Sequence, residues 1–179
     1  MLYFPWLLEI LRFQGWTDFV SQYRVYYPYL VSEFFQNLQT NKNKSKIWSI
    51  VKGVKIKISS RTIRKMLKLP KRDVDEWILD YDPYEAYTLM IELPTTTDAK
   101  MLMLTSFNTN LFPPLQRLVH HMFTTIITPQ GGGRCRLTET QRFLFYCLFK
   151  NIQVNLSSVM MNMFSIALRT IDFGHMQPI

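Results

Sequence analysis

The stretch from Leu111 to Ile171 constrains this chain most, because it carries three strongly apolar segments separated by two breaks. In the first, Leu115, Leu118, Val119, Met122, Phe123, Ile126 and Ile127 recur at the spacing of one helical face. Gln116, Arg117, His120, His121, Thr124 and Thr125 fall on the other side. Pro113 and Pro114 suit the start of this helix, where a missing N–H costs nothing. Pro129 and the glycines 131–133 end it. Thr138 and Gln141 then have capping-box spacing, in which hydroxyl and amide satisfy orphan backbone groups reciprocally. The helix they open, Phe143 to Phe149, is apolar almost all round and belongs inside. After a break at 151–155, Val159, Met160, Met163, Phe164, Ala167, Leu168 and Ile171 make a third apolar face. Helices with such faces must bury them, so a helical core over 111–172 is expected.

A chain of 179 residues can bury a full core as one domain without staples. Aromatic residues at 15% of the chain argue against disorder. Cys135 and Cys147 form neither a disulfide framework nor a metal-ligand spacing, which points to a reducing compartment. Residues 1–11 are apolar but lack a basic region and a cleavage site, and Glu9 interrupts them. The uncharged run 151–168 holds Asn151, Gln153, Asn155 and Asn162, whose amides would be costly in hydrocarbon. The expectation is a soluble, intracellular protein, cytoplasmic or nuclear and not secreted, with no membrane contact.

Earlier in the chain, 5–13 and 16–25 read as short helical pieces split at Gly15, and Pro28 opens a clearer helix with Leu30, Val31, Phe34, Phe35 and Leu38 on one face. Residues 40–45 form a polar loop. Residues 47–51 and 54–59 read as two strands around Lys52-Gly53, with Val54, Ile56 and Ile58 on one face and Lys55 and Lys57 on the other. Ser59 or Ser60 caps the next helix, in which Ile63, Met66 and Leu67 face inward. Arg61, Arg64, Lys65 and Lys68 lie opposite, and Pro70 ends the helix. Short helical pieces follow at 74–81 and 83–90, then a loop at 94–97 and an ambiguous segment at 99–107. The fold class is therefore mainly α: a single globular multi-helix domain over 1–179 with one small β-hairpin around residues 47–59. Its parts are N-terminal helices 1–40, a basic hairpin-helix 42–72, an acidic segment 73–98 and the apolar three-helix core 111–172.

The net charge of +8 understates the pattern. Twelve Lys and Arg and no acid lie between Lys42 and Arg72, and eight acids with no base between Asp73 and Asp98. Clustered cations bind phosphate backbones by neutralisation and counterion release. The candidate nucleic-acid contacts are Lys42, Lys44, Lys46, Lys52, Lys55, Lys57, Arg61, Arg64, Lys65 and Lys68. The competing readings are a solvated face, and a protein-interaction or oligomerisation module whose basic and acidic blocks pair. Trp48 is the one ring inside the block, so its sequence does not indicate a stacking platform for single strands. His120 and His121 point about 100° apart on a helix and read as surface residues without a metal role. The glycines 131–133 lack the Lys-Ser/Thr ending of a phosphate loop and read as a connector. Asp73, Asp75, Glu76, Asp80 and Asp82 read as a solvated face, and Met160, Met161 and Met163 as core filling. No catalytic residue, metal site or cofactor is expected.

Several ordered motifs carry a family likeness. They are Gly15-Trp16, the run 27–38 (YPYLVSEFFQNL), the run 51–59 (VKGVKIKIS) with Ile63, and Leu67-Lys68-Leu69-Pro70. Ile127-Thr128-Pro129 before glycines, Leu137-Thr138 and the run 151–155 (NIQVN) continue the series. With these the chain resembles the plant transposon protein domain of plant retroelement-derived reading frames, from about residue 12 to the end. The resemblance implies a transposon-derived domain with no known activity or catalytic residues. It also implies further helical sequence beyond the last helix, so that a chain stopping at 172–179 is expected to be a C-terminally truncated or a degenerate copy. Retroelement enzymes leave no signature here: Tyr81-Asp82-Pro83 is not a polymerase Tyr-x-Asp-Asp, and a protease Asp-Thr/Ser-Gly and a zinc knuckle are both missing. The expected role is non-catalytic, accessory or structural.

Overall fold

The computed structural model describes residues 4–22, 25–41, 46–73, 80–91, 107–129 and 135–174, with side chains of Phe4 and of 166–174 left aside. The expected helical turns at 74–79, the segment 92–106, the glycines 131–133, and Lys42 and Lys44 lie outside these residues. In chain order the elements are α1 (Phe4–Gln14), α2 (Thr17–Ser21), α3 (Pro28–Gln36), β1 (Gln39–Thr40), β2 (Ile47–Val51), β3 (Val54–Ile58) and α4 (Ser60–Met66). Then come α5 (Pro83–Ile91), a 3-10 turn (Thr109–Leu111), α6 (Pro114–Met122), a π turn (Phe123–Ile127), α7 (Glu139–Phe149) and α8 (Leu156–Gly174). The protein is mainly α with one small antiparallel sheet of order β1-β2-β3.

The chain divides into two compact units: Met1–Thr17 with Arg72–Asn155, and Asp18–Lys71 with Leu156–Ile179. The apolar run 111–172 is thereby shared, its first two helices in the first unit and its third in the second.

In the first unit the core is built on α7, whose Phe143, Leu144, Phe145 and Cys147 are fully buried. Phe145 meets Phe123 at 4.9 Å and Phe112 at 5.6 Å in edge-on contacts favoured by the aromatic quadrupole. Thr138 and Gln141 form the capping box their spacing predicts, and the Gln141 amide also donates to the buried Thr128 hydroxyl at 3.1 Å. The inward face of α6 and the turn after it is wider than the one read in the sequence, with Val119, Met122, Phe123 and Ile127 buried as expected. Gln116, His120 and Thr124 are buried, whereas Ile126 is 41% exposed. The π turn accounts for part of this, since its wider winding rotates the residues after Met122 relative to a straight α-helix. His120 is therefore a buried histidine, not a surface one, and His121 is exposed.

Three helices end in the same turn. Gly15, Lys68 and Asn151 have positive φ, and the next residue, Trp16, Leu69 or Ile152, donates back to Leu11, Arg64 or Cys147. This Schellman geometry caps the last carbonyls without a side chain. All three turns coincide with motifs that carry the family likeness.

In the second unit Lys52 and Gly53 have φ of 47° and 76°, the primed turn that matches strand twist and joins β2 to β3 in two residues. Register pairs Ile47 with Ile58, Ser49 with Ile56 and Val51 with Val54 on the inner face. Trp48 with Lys57 and Ile50 with Lys55 form the outer face. Burial fades toward the turn: Ile47 is fully buried, Ile58 half-buried, Ile56 37% and Val54 64% exposed. The apolar side of β3 is thus less covered than its alternation suggests. Ile47, Ile63 and Met161 form the buried cluster, with Leu38, Ile58, Leu67, Met160 and Phe164 against it. Met66, expected inward, is 58% exposed at the last residue of α4, whereas Leu67 packs against the cluster as expected.

Candidate nucleic-acid interface

The described candidate cations all belong to the second unit. Ser59 caps α4 by accepting from the Thr62 N–H at 3.2 Å, which fixes where the helix starts and how its cations are phased. Ile63 is buried, so Arg61 and Lys65 are exposed and Arg64 half-exposed. Lys68 follows in the terminal turn, exposed, with φ 55°. On the sheet, Lys46, Lys52, Lys55 and Lys57 are exposed. Among the described residues none of these eight cations makes an ion pair; the one salt bridge there is Lys150 to Glu85, in the first unit. Lys55 and Lys57 lie on an edge strand, where lysine also discourages sheet-to-sheet pairing.

Two of these lysines occupy left-handed backbone, Lys52 in the hairpin turn and Lys68 at the end of α4. Glycine or asparagine fits such positions at less cost, since a Cβ crowds the carbonyl there. Both lysines thus stand where the local backbone favours another residue.

The structure adds rings that the sequence block did not contain. α3 packs on β2, with the Ser49 hydroxyl donating to the Phe34 carbonyl at 2.7 Å and the Asn37 amide to the Ile50 carbonyl at 3.0 Å. At the hairpin turn the Lys52 N–H donates to the Glu33 carboxylate at 2.7 Å. One helical turn earlier, the Tyr29 ring lies 5.0 Å from the Lys52 ammonium, and Tyr27 meets Tyr29 edge-on at 6.1 Å. On the outer face of the sheet the Lys55 ammonium sits 5.6 Å from the Trp48 ring, whose indole N–H donates to Gln39 at 2.8 Å. Tyr26, Tyr27 and Tyr29 are 73%, 54% and 57% exposed. The sequence signal for them was a tyrosine-rich run at 23–29, well before the basic block, with nothing local to link the two.

Among the described residues no group of three or more His, Cys, Asp or Glu converges, and no helix is long and apolar enough to cross a membrane. Among the acids, 74–79 and 92–106 lie outside the described residues, and Asp73, Asp80 and Asp82 are exposed. A cleft of about 260 Å³ in the first unit is lined by Trp6, Ile10, Leu115, Gln116, Leu148 and Phe149, with Asn151 at its edge. It holds no charged residue.

Compared with known proteins, residues 12–172 match the model of a family described as a putative plant retrotransposon-related domain. No curated protein and no solved structure matches.

Proposed function

We propose that this chain, which belongs to the plant retrotransposon-related domain family, is a non-catalytic, element-derived domain that associates with nucleic acid through the cations of its second unit. One observation carries the reading: charge is segregated between the units. Residues 18–71 and 156–179 hold thirteen Lys and Arg against three Asp and Glu, a formal +10. Residues 1–17 and 72–155 hold eight against ten, a formal −2. A dense positive field on a small unit raises the local concentration of polyanions and speeds their encounter. Contacts of this kind neutralise phosphates and carry no base readout, so binding should be largely independent of sequence.

The test is fluorescence anisotropy of a labelled mixed-sequence duplex of about twenty base pairs, titrated with the full chain at about 50 mM salt, where such contacts are strong. Wild type binds, and a variant with Arg61, Arg64, Lys65 and Lys68 changed to Gln binds more weakly with an unchanged circular dichroism spectrum. Should neither wild type nor a variant with Asp73, Asp75, Glu76 and Asp80 neutralised bind, the reading is overturned.

A second reading, a self-association or protein-interaction module, is favoured by the exposed Val31, Ile50, Val54 and Met66 of the same unit. It predicts dimers in sedimentation equilibrium that Ile50→Ser with Val54→Ser dissolves.

A further inference from the structure

We infer that the nucleic acid taken by the second unit is single-stranded, and that Tyr27 and Tyr29, with Lys52 at the hairpin turn, form the platform on which unpaired bases stack. The inference rests on the nucleic-acid reading above and specifies its ligand. A sequence-tolerant single-strand site needs cations that follow the backbone and rings that meet the bases. Both are present together. Tyr29 and Lys52 are 5.0 Å apart, Tyr27 adjoins Tyr29 at 6.1 Å, and both rings are more than half exposed. A second ring and cation, Trp48 and Lys55, are paired at 5.6 Å on the same hairpin.

Large exposed aromatics cost solvation, and burying them on one another or against the inner face of the sheet would recover it. Helix α3 instead turns Phe34 and Phe35 toward its own unit, where Phe35 lies over Phe164 at 6.2 Å, and leaves the tyrosines at its start outside. The Glu33 carboxylate is engaged by the Lys52 N–H, which holds the hairpin turn beside the first turn of α3. The Lys52 ammonium is thereby kept near the Tyr29 ring and free of an ion pair among the described residues. A duplex keeps its bases stacked on each other, so only an unpaired strand can offer base faces to these rings.

The experiment compares three labelled probes with the full chain: a single-stranded 20-mer, the corresponding duplex, and heparin, which has charge and no bases. Three variants are titrated beside wild type: Tyr27→Ala with Tyr29→Ala, Tyr27→Phe with Tyr29→Phe, and the four-site Arg61, Arg64, Lys65 and Lys68 to Gln variant. Wild type is expected to prefer the single strand. The alanine pair should lose about 5- to 150-fold for each stacked base on the single strand, with less than about threefold change on duplex and heparin. The phenylalanine pair keeps the rings and should bind like wild type. The glutamine variant should weaken on all three probes. If the alanine pair binds the single strand like wild type, or loses equally on all probes, the platform is overturned while the charge-based function stands. If neither wild type nor the variant with Asp73, Asp75, Glu76 and Asp80 neutralised binds any of the probes, both readings fall. A Tyr27→Ala, Tyr29→Ala protein that instead loses a co-purified protein partner, with nucleic-acid binding unchanged, assigns the rings to protein contact and overturns the inference.

Discussion

Replacing Gln14 by Leu removes a clamp that no local pattern discloses. Gln14 is fully buried at the end of α1. Its amide nitrogen donates to the Ile152 carbonyl at 2.7 Å and its amide oxygen accepts from the Val154 N–H at 3.0 Å. One side chain thus satisfies both backbone groups of the irregular segment that follows α7. Leucine has nearly the same volume, so little cavity forms and the cost is that of two orphaned groups. An unsatisfied buried group costs about 1–3 kcal/mol. The Val154 N–H bond is buried and the Ile152 one partly so, which places the total at about 2–4 kcal/mol. Gln14→Glu keeps the acceptor but sets a carboxylate oxygen against the Ile152 carbonyl. Its cost relative to wild type should shrink as pH falls. Burial raises the folded-state pKa of that carboxyl, and protonation restores an O–H donor. Gln153→Ala is the control: its amide donates to the Phe13 carbonyl at 3.0 Å in an exposed position and should cost less than about 1 kcal/mol. Urea denaturation followed by far-UV circular dichroism gives the stabilities, and amide exchange at Val154 reports the clamp directly. A Gln14→Leu protein within about 0.5 kcal/mol of wild type, the range of ordinary surface changes, refutes the reasoning.

Burial pushes the Cys147 thiol up to about 12, while Cys135 is exposed. A thiol reagent at pH 8 should therefore modify one cysteine in the native protein and two in denaturant, and equal native rates would contradict the packing of α7. Burial first, and the charge of His121 second, hold the His120 imidazole below its ordinary value. The unfolded chain then binds a proton that the folded one resists. Stability is complete above the ordinary imidazole pKa, about 6.5, and is lost as pH falls from there toward the depressed folded value. Urea midpoints between pH 7.5 and 5.5 should show this loss, and His120→Gln should flatten it; an unaltered profile would place His120 at the surface. Lys68→Gly removes a Cβ from left-handed backbone and should stabilise the fold by about 0.5–1 kcal/mol, while weakening polyanion binding. A gain in stability with binding untouched would mean that Lys68 contributes no contact.

What could be read directly from the sequence was local. The Thr138–Gln141 box, the prolines at 28 and 114, and Lys52-Gly53 between two alternating runs each contain their own partners, and the structure forms all of them. The two-residue strand β1 was too short to leave a period, and it reaches β2 through Gln39 and Trp48. Nothing near Gln14 marks it in the sequence, because its partners lie 138 and 140 residues away. Gln116, His120 and Thr124 recur four apart and look like a polar stripe, yet they face inward with Val119 and Phe123. The apolar residues marked the buried side of α6 correctly, and polarity hid how far that side extends. The motifs of the family likeness were legible as short local runs, and three of them contain the helix-ending turns at Gly15, Lys68 and Asn151. The cations of the candidate interface were also legible as a block. Its rings were not, since Tyr29 meets Lys52 only after α3 has packed on β2.

The salt dependence of duplex binding tests the central claim most directly. Each phosphate neutralised contributes about −0.9 to the slope of log K against log salt. Wild type should give a steep negative slope, and changing Arg61, Arg64, Lys65 and Lys68 to Gln should make it shallower by about 3–4, nearly one for each cation removed. A flat slope for wild type, or the same slope for both proteins, would contradict the assignment of this unit as a phosphate-binding surface.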